Sequence, residues 1–211
     1  MNKKILLIGA GGHCKSVLDT LLNLAEYSEI GIIEKENKQT PSLLNIPIIG
    51  YDDDLPRLFD LGYKYAFITV GDLGLRENLF KILNSIGFTF PKIIDKTAIV
   101  SHYAQIDEGT FVGKKAIINS NAIIGKNVII NSGVIIEHDC VVKSFSHIAP
   151  GSVLCGSVEI GKNTHIGANS TVKQEIIIGD NSIIGISSAV TKNIKSNVIA
   201  YGNPCKERRT L

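Results

Sequence analysis

The sequence predicts a two-part fold: a small parallel α/β domain over residues 1–97, then a parallel β-helix built from hexapeptides over residues 98–211. Three observations carry this reading: a shift in aliphatic composition, an alternation of strand and helix patterns before the shift, and a six-residue period after it. Of the 17 leucines, 15 lie at or before Leu83, and only Leu154 and Leu211 follow. Beyond residue 97 the aliphatic residues are Ile and Val. Leucine suits helices, whereas β-branched side chains suit the pleated surface of strands, so the swap marks a change of architecture near Asp95 to Thr97.

In the first part, Lys4 to Ile8 is a short apolar run ended by Gly9-Ala10-Gly11-Gly12. His13 to Tyr27 then carries Val17, Leu18, Leu21, Leu22 and Leu24 at helical spacing. Ile30 to Ile33 reads as a second strand, Asp52 to Leu61 as a short amphipathic helix, and Tyr65 to Val70 as a strand. Leu73 to Ile86 reads as a helix and Phe90 to Ile94 as a last strand. Strands alternating with helices over fewer than 100 residues imply a small parallel, Rossmann-like sheet.

The second part holds the strongest signal. Every sixth residue from Val100 to Val190 is Ile, Val or Leu, a run with a chance probability on the order of 10⁻⁸ when these types make up about three residues in ten. Two positions before each stands Ala, Ser, Thr, Val or Cys, with Ile176 the exception. Three positions after, Gly, Asn or Asp predominate, the types that accept the left-handed backbone of a corner. One short strand and one corner per hexapeptide, with three sides per coil, define a triangular parallel β-helix of about 18 residues per turn. The hexapeptides occupy residues 98–193 and a tail follows over 194–211.

Bulk properties exclude several functions. Net charge is +2 with 20% charged residues, which lacks the basic surplus of a nucleic-acid binder. Hydrophobic residues reach 44%, with 6% aromatics and no Trp, a composition for a folded aliphatic core and not for disorder. No apolar run approaches a membrane span, and Met1-Asn2-Lys3-Lys4 leads into a strand-like run with no cleavage site after it, so a soluble cytoplasmic protein is expected. Cys14, Cys140, Cys155 and Cys205 form no C-x-x-C pair, and reduced structural thiols are expected.

Residues 18 apart sit on neighbouring coils, about 4.8 Å from one another. His138 occupies a corner, and Gly156 the same corner one coil further. A base beside an open glycine amide suits acyl transfer, one group taking a proton and the other steadying the developing oxyanion. Either Asp139 or Glu137 is available to orient the imidazole. Cys140 holds a small inward position and faces the interior, a poor place for a nucleophile. His147 and His165, also 18 apart, stack on one face. The five histidines include no two that stand five residues apart, the spacing of the three-histidine zinc sites in γ-class carbonic anhydrases, and no metal is expected. The loop Gly9-Ala10-Gly11-Gly12-His13-Cys14 looks like a dinucleotide fingerprint whose third glycine is Cys14. Half a dinucleotide fold suits one or two phosphates on the helix amides, with Glu34 on a ribose hydroxyl and His13 and Lys15 as a cation or donor at the helix mouth.

Together, Lys4-Ile5-Leu6-Leu7-Ile8-Gly9-Ala10-Gly11-Gly12-His13, the hexapeptides carrying Ile136-Glu137-His138-Asp139-Cys140, Ser146-His147 and the tail Gly202-Asn203-Pro204-Cys205-Lys206 resemble the bacterial sugar O-acyltransferases of the sialic-acid O-acetyltransferase (NeuD/PglD-like) type. The resemblance implies a left-handed prism, a homotrimer, and acetyl-CoA as co-substrate in the groove between adjacent prisms. It implies His138 as general base, Asp139 as the acid that orients it, and Gly156 as the amide that holds the thioester oxygen. Ala168 and Ile186 match backbone contacts to the pantetheine arm, and Asn131 and His147 match residues near the acceptor. Gly11, Gly12, His13 and Glu34 fall where the family grips a nucleotide, although several relatives carry two acids where this chain has Glu34-Lys35. The expected activity is N-acetylation of the 4-amino group of a UDP- or dTDP-linked sugar for bacterial surface glycans. O-acetylation of sialic acid or a related nonulosonic acid is the alternative, and a nucleotide-sensing or scaffold trimer is the non-enzymatic one.

Overall fold

The computed structural model describes residues 3–35 and 41–211. The chain divides into two compact units, Met1–Ile93 and Ile94–Leu211.

The first unit runs β1 (Lys4–Ile8), α1 (Gly12–Leu24), β2 (Glu29–Ile33), β3 (Ser42–Leu43), β4 (Ile46–Gly50), a 3₁₀ turn at Asp52–Asp54, α2 (Leu55–Asp60), β5 (Tyr63–Ile68) and α3 (Leu73–Ile86). The sheet order is β3-β4-β2-β1-β5, with β1 parallel to both β2 and β5. Strand β1 is an inner strand, paired on both sides, and its Ile5 to Ile8 side chains are buried, which is why it reads as a continuous apolar run. Helix α1 stops at Leu24, short of the expected Tyr27. Ala25 turns into the left-handed region at φ 56 and its N–H closes on Leu21 O at 3.0 Å. The β3-β4 hairpin carries no sequence signal, since its turn places Leu44 and Asn45 at φ 47 and 65 and leucine is not a turn residue. Of the strand expected over Phe90 to Ile94, only Ile93–Ile94 forms. Pro91 has no N–H for a ladder. Helix α3 spans the predicted residues. It is capped by Asp72, whose carboxylate accepts from Leu75 N at 2.8 Å, and by Gly87 at φ 105.

The second unit is a three-sided coil of two-residue strands repeating every six residues. Its first face stacks Ile117–Ile118, Ile135–Ile136, Val153–Leu154 and Thr171–Val172 in parallel at a register of 18. The second face carries Ile123–Ile124, Val141–Val142 and Glu159–Ile160. The third carries Ile129–Ile130, His147–Ile148, His165–Ile166 and Ile183–Ile184. Every predicted inward residue from Val112 to Val190 is at most 1% exposed. Every sixth residue from Gly109 to Ser187 has positive φ, including Lys115, Phe145 and Glu175. Small inward hydroxyls satisfy corner carbonyls: Ser146 donates to Gly161 O at 2.7 Å and Thr164 to Gly179 O at 2.8 Å. Buried polar groups in a thin core need such partners. Antiparallel strands Val198–Tyr201 and Lys206–Thr210 extend the third face and close its end.

Candidate active site

The corner between the first and second faces holds His138 and Asp139. The corner requires a left-handed residue, and Asp139 supplies it at φ 61. This bends the chain so that the aspartate meets its own neighbour: His138 Nδ1 lies 2.8 Å from Asp139 Oδ2. Asn121, one coil earlier, donates to Asp139 Oδ1 at 3.2 Å. The hydrogen bond from His138, then that from Asn121, hold the Asp139 carboxyl below its ordinary pKa. Glu137 faces elsewhere and accepts from Asn119 Nδ2 at 2.9 Å, so in this structure Asp139 is the acid on the imidazole. On the next coil, a Cβ at Gly156 would stand 2.6 Å from His138 Cε1 and 2.7 Å from Nε2. The far side of the imidazole therefore rests on the bare glycine. Among the described residues, no group accepts from Gly156 N–H. The imidazole is open to solvent, its side chain 63% exposed.

Cys140 is buried, with burial pushing its thiol up to about 11. The thiol donates to Cys155 O at 3.1 Å, the place that serines take on other coils. A protonated inward thiol is no nucleophile.

A second group lies on the edge between the third and first faces. Asn131 Nδ2 and His147 Nε2 are 3.3 Å apart, and the His147 and His165 rings meet edge to face at 4.9 Å. Further along this edge come Ala168 and Ile186, the latter 74% exposed. Among the described residues, neither backbone N–H donates to another group of the chain. The predicted prism residues thus fall into two groups on different edges of one chain. Among the described residues no cluster of three or more His, Cys, Asp or Glu side chains is arranged to hold a metal.

In the α/β unit, Gly9 to His13, Glu34 and Thr69 to Gly71 line a cavity of about 480 Å³. Gly9 takes φ 102 and has no room for a Cβ, which would meet Val70 Cγ2 at 2.8 Å. A Cβ at Gly11 or Gly12 would meet nothing within 4 Å, so the chain itself does not demand glycine there. Gly11 caps α1 without a side chain, leaving helix amides toward the cavity. Buried Glu34 accepts from Ala10 N at 3.0 Å and Lys35 N at 2.9 Å, which tethers the loop to the end of β2. Of the two roles expected at the helix mouth, cation or donor, His13 keeps only that of donor: burial, then the nearby Arg76, push its pKa down to about 4, so it is neutral at pH 7. Sequence reasoning missed Arg76, an arginine buried on α3, because nothing in a helical period marks it. It also missed Asp52, which lines an adjoining cavity with Glu34 and Lys35. Asn119 and Asn121 are legible in the repeat, since each stands one full coil before the carboxylate it meets.

A hexapeptide prism preceded by an α/β unit, with a histidine-carboxylate pair over an open amide, defines a hexapeptide-repeat transferase. Residues 4–83 match the PglD N-terminal domain family. Residues 139–174 match the bacterial transferase hexapeptide family (six repeats), and 115–144 and 157–192 the hexapeptide repeat of succinyl-transferase. The chain belongs to the bacterial sugar acyltransferases of the NeuD/PglD type, and its prism is the left-handed β-helix of that family. Perosamine N-acetyltransferase from Caulobacter crescentus, solved with one histidine replaced by asparagine and in complex with CoA and GDP-perosamine, is 30% identical. The match covers 98% of this chain and 97% of that one at a TM-score of 0.94. The acetyltransferase domain of PglB from Neisseria gonorrhoeae, in complex with acetyl coenzyme A, is 29% identical over 99% of this chain and 100% of that one, at a TM-score of 0.93. WeeI from Acinetobacter baumannii, 24% identical over 98% and 100% at a TM-score of 0.87, shares the fold. The chain is an acyltransferase of this sugar-modifying class.

Proposed function

We propose that this protein transfers an acetyl group from acetyl-CoA to the 4-amino group of a nucleotide-linked amino-deoxy sugar. The observation that carries the reading is the His138 imidazole, held by Asp139 at 2.8 Å on Nδ1 and lying over Gly156 on its other side. With its proton on Nδ1, the imidazole donates to Asp139 and leaves the Nε2 lone pair for the attacking amine. The amine binds neutral or sheds a proton as it attacks the thioester carbon. His138 takes the amine proton, Gly156 N–H stabilises the oxyanion, and the tetrahedral intermediate collapses to amide and coenzyme A thiolate, which is protonated on leaving. No acyl-enzyme forms. Asn131 and His147 position the acceptor, and the Ala168 and Ile186 amides hold the pantetheine arm. Because these groups and His138 lie on different edges of one prism, the complete site takes one edge from each of two copies in a homotrimer. Gly11, Gly12 and the neutral His13 offer donors to the sugar nucleotide's diphosphate, with Glu34 on the ribose.

A thiol-release assay with acetyl-CoA tests this, run against UDP-, dTDP- and GDP-linked 4-amino-4,6-dideoxy sugars and sialic acid. Release with an amino sugar nucleotide is expected. Release with sialic acid alone would replace N- by O-transfer, and silence across the panel would favour the nucleotide-sensing trimer.

A further inference from the structure

We propose that Arg208, seated on the Tyr201 ring at the C-terminal end of the prism, binds a phosphate of coenzyme A and makes the enzyme selective for the full coenzyme over truncated thioesters. The inference rests on the reading of Ala168 and Ile186 as the path of the pantetheine arm. Those two residues climb the edge between the third and first faces one coil apart, and the next coil brings Tyr201: a Cβ at Gly185 would stand 2.7 Å from Tyr201 Cβ. The end of the amide line therefore meets a half-exposed aromatic ring beside Ile186.

The terminal strand pair aims a cation at this place. Ala200 pairs with Glu207 and Ile199 with Arg209, so Arg208 is the extra residue of a β-bulge. Bulges at sheet edges redirect a side chain out of the alternating pattern. The Arg208 guanidinium carbon lies 4.9 Å from the Tyr201 ring centroid, and Nη2 comes within 3.5 Å of where a Cβ at Gly202 would stand. Among the described residues Arg208 forms no ion pair, and Glu207, the one acid of the strand, accepts from Lys195 N at 2.9 Å. Lys206 and Arg209 flank it with further positive charge. A guanidinium stacked on a ring keeps its N–H edge free for two phosphate oxygens, and an exposed ring offers a face to a base. A phosphate-bearing adenosine at the end of an amide-lined arm matches both groups.

Calorimetric titration of the full chain with coenzyme A, 3′-dephospho-coenzyme A and pantetheine tests this. Wild type should bind coenzyme A more tightly than pantetheine. Arg208→Gln should weaken coenzyme A by about 10- to 100-fold, Arg208→Lys should recover part of the loss, and pantetheine should bind all three proteins equally. Dephospho-coenzyme A separates the sources: an undiminished Arg208→Gln loss assigns the contact to the diphosphate, a vanished one to the 3′-phosphate. Equal binding of coenzyme A by wild type and Arg208→Gln, or an equal loss for pantetheine, would overturn the assignment. If Arg208→Gln fails to fold, wild type alone decides, since equal affinity for coenzyme A and pantetheine overturns it. A wild type that binds no coenzyme A would instead sink the underlying reading of Ala168 and Ile186 as the path of the pantetheine arm.

Discussion

Asp139 adopts a backbone conformation that few residue types accept, and its carboxylate is held from two sides, by His138 and by Asn121. An aspartate there does two things: it tolerates the corner's φ and, being short, reaches back to the adjacent imidazole. His138→Ala should lower turnover by roughly 10²- to 10⁴-fold, the range for a positioned general base, with acetyl-CoA binding little changed. Wild-type turnover in that variant would remove His138 from the mechanism. Gly156→Ala tests the other half of the pair. The new methyl would have to displace the imidazole, whose ring atoms lie 2.6 to 2.7 Å from its position, while leaving the Gly156 amide in place. The ring is exposed and can swing out by giving up its hydrogen bond to Asp139, so turnover should fall at least ~10-fold with the melting temperature nearly unchanged. An unaltered rate would mean that this imidazole position is not the working one.

At the scale of elements, the corner is the unit that the hexapeptide repeats, and its left-handed residue can be tested at two places with opposite outcomes. Glu175 is exposed at φ 61. Asparagine accepts that region more easily, so Glu175→Asn should stabilise the protein by up to about 1 kcal/mol in urea unfolding. Phe145 has the same strain at φ 64 but is buried, with Lys162 near its ring. Relief of about 1–2 kcal/mol is smaller than the roughly 3–5 kcal/mol lost with a buried aromatic, so Phe145→Asn should destabilise. A gain in stability there would show that the ring contributes little. Helix α1 carries a different signature. His13 has a folded pKa near 4 against an ordinary 6.5, so between those values the unfolded chain binds more protons than the native one. Stability should therefore fall as pH drops from about 6.5 to about 4, by on the order of 3 kcal/mol. His13→Asn should flatten this part of the urea-midpoint profile, and parallel curves for the two proteins would rule His13 out as the cause.

For the whole molecule, the proposed homotrimer rests on the two groups of site residues standing on different edges of one prism. Equilibrium sedimentation should give three times the chain mass of 22.8 kDa. A mixing experiment goes further. His138→Ala and His147→Ala impair opposite edges, so co-expressed mixed trimers regain about a quarter of the wild-type sites if each site joins two copies. No recovery above either parent would place the whole site within one chain. The near-neutral charge fits this arrangement, because no broad basic surface is needed when corner amides and a few local cations meet the ligands.

How much was legible follows from how far each signal reaches. The six-residue period is local, and stacking coils at a register of 18 converts it into contacts without further information. Val112 to Val190, the left-handed corners, the approach of His138 to Gly156 and the inward Cys140 were therefore readable from residues alone, as was the span of helix α3. The choice of Asp139 over Glu137 was not, because both flank His138 and only the φ of the corner decides which carboxylate turns toward the ring. The β3-β4 hairpin escaped because Leu44 in a left-handed turn has no compositional mark. The neutrality of His13 depends on burial near Arg76, which stands on a different helix far along the chain, and the aim of Arg208 depends on a bulge against Val198–Tyr201. Periodic, short-range order was set by the sequence itself. Desolvation, bulge geometry and the partner of a given carboxylate were decided only when distant segments packed, because those energies depend on which atoms exclude water from one another.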